Sequence, residues 1–220
     1  KKNNLKVIYD AAHAFGVKCH CGSILKHGDL SVLSFHATKV FNTFEGGAII
    51  SQDKKTKDYV DQIINFGITG ETVVEQIGIN GKMTEFNAAL GLVQLKYIDN
   101  DIKKSKKIDE IYREGLKETQ GIKCHYYSNM EKGNYSYFPI FVEDDYFLTR
   151  DQLYYKLREN GINARRYFHP LITEFSMYQN SIDFKYGKKI SKKVICLPIY
   201  SSLSVKIVTS IINIISNKKN

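Results

Sequence analysis

The sequence predicts an α/β domain followed by a small α+β domain, and three observations carry that expectation. Short apolar runs without strict alternation, at residues 7–9, 30–35 and 48–50, fit strands of a sheet covered on both faces. Helical periodicities accompany them at residues 83–98 and 102–119, as an α/β domain requires. From about Gly121 the pattern changes to strand, helix, strand, helix, the layout of a small α+β domain. The expected boundary lies at residue 100, with a linking helix opening the second part, 101–220.

Taken in order, Val7-Ile8-Tyr9 is expected to be a short buried strand running into Asp10 and the small residues Ala11-Ala12. Residues 30–35 form a second strand after Gly28-Asp29, and Ala48-Ile49-Ile50 a third, entered through Gly46-Gly47. In the helix over 83–98, Phe86, Leu90, Val93 and Tyr97 share a face, with Thr84 as N-cap. In the helix over 102–119, Ile108, Ile111, Tyr112 and Leu116 share a face. Residues 135–142 read as a strand, and Pro139 argues for an edge or an irregularity there. Thr149-x-x-Gln152 has the form of a capping box, followed by Leu153 and Leu157 on one helix face and by Gly161 as a stop. A strand over 162–167 and a last helix over 205–215, capped by Ser204, complete the reading.

The 220 residues, 43% hydrophobic and 25% charged, suffice for a buried core. The formal charge of +9 admits nucleic acid, a membrane surface or a negatively charged small ligand. The lysines are scattered in small groups, the pattern of solvated helix faces, and no nucleic-acid motif or apolar run of membrane-spanning length accompanies them. Neither a nucleic acid nor a membrane is therefore expected as a partner. Cys19 and Cys21 form a C-x-C pair near His20 and His27, while Cys124 and Cys196 stand apart. No second ligand pair has zinc spacing, so the expectation is reduced thiols, no metal and a cytoplasmic location. The chain begins at Lys1, beside a strand-like run, which suggests a piece of a longer protein.

The stretch that carries chemistry is Ser34-Phe35-His36-Ala37-Thr38-Lys39, followed by Glu45-Gly46-Gly47-Ala48. Lys39 stands just past the carboxyl end of a buried strand, the edge at which open α/β sheets bind ligands. Asp10 ends another strand and reaches the same edge, where a buried carboxylate needs a cationic partner. Taken alone, a lysine after a strand reads as surface, and Asp10 as a turn or N-cap residue.

Together these segments resemble the DegT/DnrJ/EryC1/StrS family of sugar aminotransferases. The matching runs are Tyr9-Asp10-Ala11-Ala12-His13-Ala14-Phe15-Gly16, Leu33-Ser34-Phe35-His36-Ala37-Thr38-Lys39, Glu45-Gly46-Gly47-Ala48 and Gly78-Ile79-Asn80-Gly81-Lys82-Met83-Thr84-Glu85. Weaker matches are Arg165-Arg166-Tyr167-Phe168-His169-Pro170-Leu171 and Leu197-Pro198. The resemblance implies part of the large domain of the fold type I, aspartate-aminotransferase-like architecture, followed by the small C-terminal domain. It implies pyridoxal 5'-phosphate (PLP) as cofactor, glutamate as amino donor, and a dTDP-linked keto-6-deoxysugar, aminated at C3 or C4 for surface polysaccharide (O-antigen), as substrate.

The resemblance also assigns residues. Lys39 would hold the cofactor covalently and move protons, and Asp10 would pair with the pyridine nitrogen. His13 would lie near the ring hydroxyl, and Ser34 would bind the phosphate. Asn80 would reach the phosphate of a neighbouring subunit's cofactor, implying a homodimer with shared sites. Arg166, Tyr167 and His169 would face the sugar nucleotide. On residue type alone, Ser34 serves equally to satisfy local backbone, His13 as a core histidine and Asn80 as a turn former. The family also carries a further N-terminal segment, so an inactive or partner-dependent subunit is the first alternative reading. A non-catalytic, basic polyanion-binding protein is the second.

Overall fold

The computed structural model describes residues 3–125, 132–178 and 184–216. The chain forms two compact units: Lys1–Asn100 with Asn129–Asn134, and Asp101–Ser128 with Tyr135–Asn220.

The first unit is built on β1 (Ile8–Asp10), the hairpin strands β2 (Lys18–Cys19) and β3 (Gly22–Ser23), β4 (Leu30–Ser34) and β5 (Gly47–Ser51). The helix α1 (Lys54–Ile64) packs on β5, and the short pair β6 (Ile68–Gly70) and β7 (Val73–Val74) follows it. Helix α2 (Glu85–Leu95) and the start of α3 (Ile98–Leu116) complete the unit. The main sheet has the order β1-β4-β5. β1 runs parallel to β4, with Ile8 opposite Leu30 and Asp10 opposite Val32, and β5 runs antiparallel to β4.

The expected strands are present, but the sheet is not covered on both faces. Ser31 and Leu33 of β4 are buried, whereas Val32, between them, and Ile49 of β5 lie open. β1 is an edge strand with a single neighbour, so Ile8 is 64% exposed rather than buried. Helix α2 is capped as expected, Thr84 Oγ1 accepting from the Asn87 amide at 3.2 Å. Its apolar face is not the buried one: Phe86, Val93 and Tyr97 are exposed, and Gly91 is the buried position.

The second unit holds the remainder of α3, then β8 (Ile122–Cys124), β9 (Phe138–Val142), α4 (Arg150–Glu159), α5 (Lys185–Ser191), β10 (Val194–Leu197) and α6 (Val205–Ser216). Its antiparallel sheet has the order β10-β9-β8. The helical spacing in α3 and α6 lays Ile108, Tyr112, Leu116, Val208, Ile211 and Ile215 into one core with the sheet. Two tyrosine hydroxyls are buried there, and both are satisfied. Tyr112 donates to the Pro198 carbonyl at 3.0 Å and Tyr146 to the Ile215 carbonyl at 2.6 Å.

The capping box at Thr149 and Gln152 forms in both directions, and Leu153 and Leu157 are fully buried behind it. Two expectations fail. Pro139 lies in the central strand, where its backbone points toward β8 at the place β8 has ended; the Pro139 carbonyl meets the amide of His125, beyond that strand. The amide that proline lacks would face the His125 carbonyl, which accepts from Arg113 at 2.8 Å instead. Residues 162–167 form no strand, because only Arg165 bridges to Cys196.

Leu153→Ala removes a fully buried side chain from this core. It is expected to lower unfolding free energy by about 2–5 kcal/mol, read as a lower denaturant midpoint at unchanged slope.

Candidate active site

The parallel pairing of β1 with β4 brings the carboxyl ends of two strands side by side. Asp10 ends the first and Ser34 the second. Residues 35–46 leave β4 and return into β5 as a loop closed at its base, with the Phe35 amide on the Gly46 carbonyl at 2.8 Å and the Thr43 amide on the Phe35 carbonyl at 2.9 Å. At Gly47 a side chain has no room, since a Cβ there would stand 2.6 Å from the Leu33 carbonyl oxygen.

An aromatic cluster packs the inside of that loop. The Phe15 and Phe41 rings stack at 4.3 Å, and Phe35 meets Phe41 edge-on at 4.9 Å. Buried Thr43 donates to the Glu45 carbonyl at 2.6 Å, and Asn87 of α2 donates to the same oxygen at 2.7 Å. Lys39 sits on a turn of this loop, its amide bonded to the His36 carbonyl at 2.9 Å.

The Lys39 amine lies 3.2 Å from His13 Nε2. Burial first, and then the charge of Lys39, push the His13 imidazole below its usual range, while the Asp10 charge opposes them. Asp10, His13 and Lys39 therefore share one electrostatic neighbourhood. Asp10 Oδ1 accepts the Ala12 amide at 3.1 Å, which shapes the turn that carries His13. Ser34 Oγ accepts the His36 amide at 3.3 Å.

Asn80 stands elsewhere in the unit, on a loop pinned to the end of α1. Its backbone bridges to Asn65, while the Ile79 and Gly81 amides bond the Ile63 and Ile64 carbonyls at 2.8 Å each.

Arg166, Tyr167 and His169 belong to the second unit. They line a cavity of about 500 Å³ together with Arg158, Arg165 and Tyr154. Arg166 pairs with Asp151 at 2.9 Å and lies 4.4 Å over the Tyr154 ring. The Asp151 hydrogen bond raises the Arg166 pKa further. Arg150 is only 6% exposed. Its Nε lies 3.0 Å from Asp151 but out of line for a hydrogen bond. Among the described residues, Arg150 Nη1 and His169 Nδ1 are buried without a hydrogen-bond partner. Burial, then the charges of Arg150 and Arg166, hold His169 below its usual pKa. A buried unpaired donor costs about 1–3 kcal/mol, and Arg150 carries that cost outside the lining of this cavity.

The profile of the DegT/DnrJ/EryC1/StrS aminotransferase family matches residues 1–216. The chain belongs to this family.

Among curated family members, the chain is 50% identical to a dTDP-4-amino-4,6-dideoxy-D-glucose transaminase of Shigella dysenteriae, aligning over 100% of its own length and 60% of that protein's. It is 46% identical to the protein of the same name from Escherichia coli, over 97% of this chain and 59% of that one. It thus spans about three fifths of the length of these relatives. Among solved structures it superposes on DesI, crystallised in the presence of its TDP-sugar product. There the TM-score is 0.90 and the identity 26%, covering 98% of this chain and 56% of that one. The fold also matches Helicobacter pylori PseC, an aminotransferase involved in the biosynthesis of pseudoaminic acid. That match has a TM-score of 0.89 at 24% identity, over 98% of this chain and 60% of PseC.

In this member of the DegT/DnrJ/EryC1/StrS family, sequence reasoning missed Asn134 and Arg150. Asn134, 6% exposed, donates to the His13 and Phe15 carbonyls at 2.7 and 2.9 Å and so fixes the turn bearing His13. It comes from about 120 residues away, and no local pattern in Gly133-Asn134-Tyr135 marks it. Arg150 is legible only as the residue after a helix cap.

The Lys39 charge helps depress His13, so Lys39→Gln is expected to raise the His13 pKa toward 6.5, followed by NMR of the imidazole. An unchanged titration would place the two side chains apart. A histidine depressed in the fold binds fewer protons there than unfolded. Its contribution to stability therefore rises with pH through the acid range and levels off above 6.5, and Lys39→Gln shrinks that rise.

Proposed function

We propose that the chain supplies the cofactor lysine and the substrate cleft of a PLP-dependent transaminase that aminates C4 of a dTDP-linked 4-keto-6-deoxysugar. The observation that carries this reading is the grouping of Lys39, His13 and Asp10 at the carboxyl ends of parallel strands. The names of the two most similar relatives described above support the substrate and the position of the nitrogen.

The donor set suits PLP. A primary amine matches its aldehyde, a strand-end carboxylate its protonated ring nitrogen, and a strand-end hydroxyl its phosphate. Among the described residues Lys39 joins no ion pair, so its amine is not engaged by a carboxylate. Bound PLP would act as an electron sink that lets a carbon–hydrogen bond next to nitrogen ionise.

The remaining work falls to the chain. Lys39 would anchor the cofactor and, as a free amine, move a proton at the donor's α-carbon, a role contributing about 10²–10⁴-fold. Asp10 would keep the ring nitrogen protonated through a charge-assisted bond of about 1.5–3 kcal/mol. His13, held neutral near Lys39, would orient the ring hydroxyl, and Ser34 would bind phosphate. Arg166, Tyr167 and His169 would receive the diphosphate of the sugar nucleotide, Arg166 stacked on Tyr154 being preorganised for it.

The architecture would be part of the fold type I large domain, residues 1–100, followed by a linking helix and the small C-terminal domain, residues 101–220. Glutamate would be the amino donor. A homodimer would share its sites through Asn80, reaching the cofactor phosphate of a second copy. The setting would be cytoplasmic O-antigen synthesis; among the described residues no helix is long and apolar enough to cross a membrane.

Incubation with PLP followed by borohydride is expected to place one phosphopyridoxyl group on Lys39, mapped by mass spectrometry and absent from Lys39→Ala. Label spread over surface lysines and missing from Lys39 would overturn the assignment. Arg166→Ala is expected to weaken dTDP binding about tenfold, or ~1.4 kcal/mol, by calorimetry. Equal affinity would remove the cleft from the reading.

A further inference from the structure

The β2–β3 hairpin gathers side chains that the proposed transaminase chemistry does not use. Its two-residue loop is His20-Cys21, closed by Cys19 opposite Gly22, whose φ of +103° suits a tight reversal. A 3-10 turn over Ile24–Lys26 follows, capped by Ser23, and brings the chain back so that His27 faces the loop. His27 Nε2 then lies 3.5 Å from Cys19 Sγ and 3.2 Å from Cys21 Sγ. The ligand atoms of Cys19, His20 and Cys21 all lie within 4.8 Å of one another. The C-x-C spacing alone does not announce a zinc site; the return of His27 across the turn completes the set.

We propose that Cys19, Cys21, His27 and His20 bind Zn²⁺. Tetrahedral zinc with bonds of about 2.3 Å to sulfur and 2.0–2.1 Å to nitrogen sets its ligands about 3.5 Å apart for S···N and about 3.8 Å for S···S. The two His27–cysteine separations already match this value, and the exposed His20 and Cys21 side chains have room to close the rest. Two thiolates and two neutral imidazoles balance the dication, and a mixed sulfur and imidazole set selects zinc over the harder oxygen-seeking metals. With four protein ligands the site is of the structural type, tying the hairpin loop to the turn that follows it.

The test uses the tag-free chain purified under reducing conditions and titrated with Co²⁺ alone, then with Zn²⁺. One equivalent of Co²⁺ should give the intense visible bands of a tetrahedral site and thiolate charge-transfer absorption, both lost when Zn²⁺ displaces it. Second-sphere changes alone cost about 10–100-fold in affinity, so loss of a ligand in Cys21→Ser or His27→Gln should weaken binding by at least about tenfold. Zn²⁺ should also raise the Tm of the wild-type chain, and by less that of Cys21→Ser. Weak octahedral bands in the wild-type chain, or charge transfer of undiminished intensity in Cys21→Ser, would overturn the proposal. So would equal affinity in His27→Gln. None of these readings depends on PLP or on transamination.

Discussion

The parallel pairing of β1 to β4 sets Asp10 opposite Val32, and most of the chemistry of the first unit follows from that register. A slip of one residue would turn every side chain of β1 to the other face and take the carboxylate away from His13 and Lys39. Among the described residues, the same strand β4 is the only one in this sheet paired on both sides. It therefore fixes Ser34 at its end and the loop of residues 35–46 beyond it. Phe15, Phe35 and Phe41 fill that loop, and the Glu45 carbonyl receives two side-chain donors at its far end. Lys39 is thus held from both sides of its loop while its amine stays within reach of His13.

The second unit treats polar burial in two ways. In the core of the second unit every tyrosine hydroxyl named above has a carbonyl, and Asp109 takes a two-pronged bond from Arg113 at 2.6 and 3.1 Å. Such pairing removes most of the cost of placing polar atoms among Leu116, Leu153 and Ile211. The arginine cleft of the same unit does not follow this rule. One carboxylate, Asp151, faces two guanidinium groups, and Arg150 Nη1 remains buried with nothing to accept from it.

What the sequence made legible follows from how local the cause is. The capping box at Thr149, the N-caps Thr84 and Ser204, and the periodic face of α3 depend on residues within one or two turns, and all formed where expected. Lys39, His13 and Asp10 could be grouped because their strands end together, and the resemblance of the surrounding motifs pointed there. The failures are tertiary. Apolar Phe86, Val93 and Tyr97 predict a buried face, yet the buried position of α2 is Gly91, where a Cβ would stand only 3.0 Å from Thr43. Pro139 argues for an edge or an irregularity, yet it lies in the central strand, beside the end of β8. Asn134 acquires its position only through a distant turn, which no window of the sequence contains.

Charge shows how these sites differ from the rest of the surface. Several lysines of α1 and α3 meet acids one helical turn away, as Lys54 with Asp58 and Lys106 with Glu110, and all of these groups face water. Exposed pairs of this kind are worth about 0–1 kcal/mol each and leave the fold indifferent to them. The formal charge of +9 thus says little by itself. What matters is which cations are withdrawn from water without a matched carboxylate. Arg150 is withdrawn by burial, and its pKa falls for that reason despite Asp151 beside it. Arg158 answers only the neutral Asn163. The cations that line the cavity are less withdrawn, Arg158 and Arg165 being exposed and Arg166 half-buried, so an entering anion would still displace water from them.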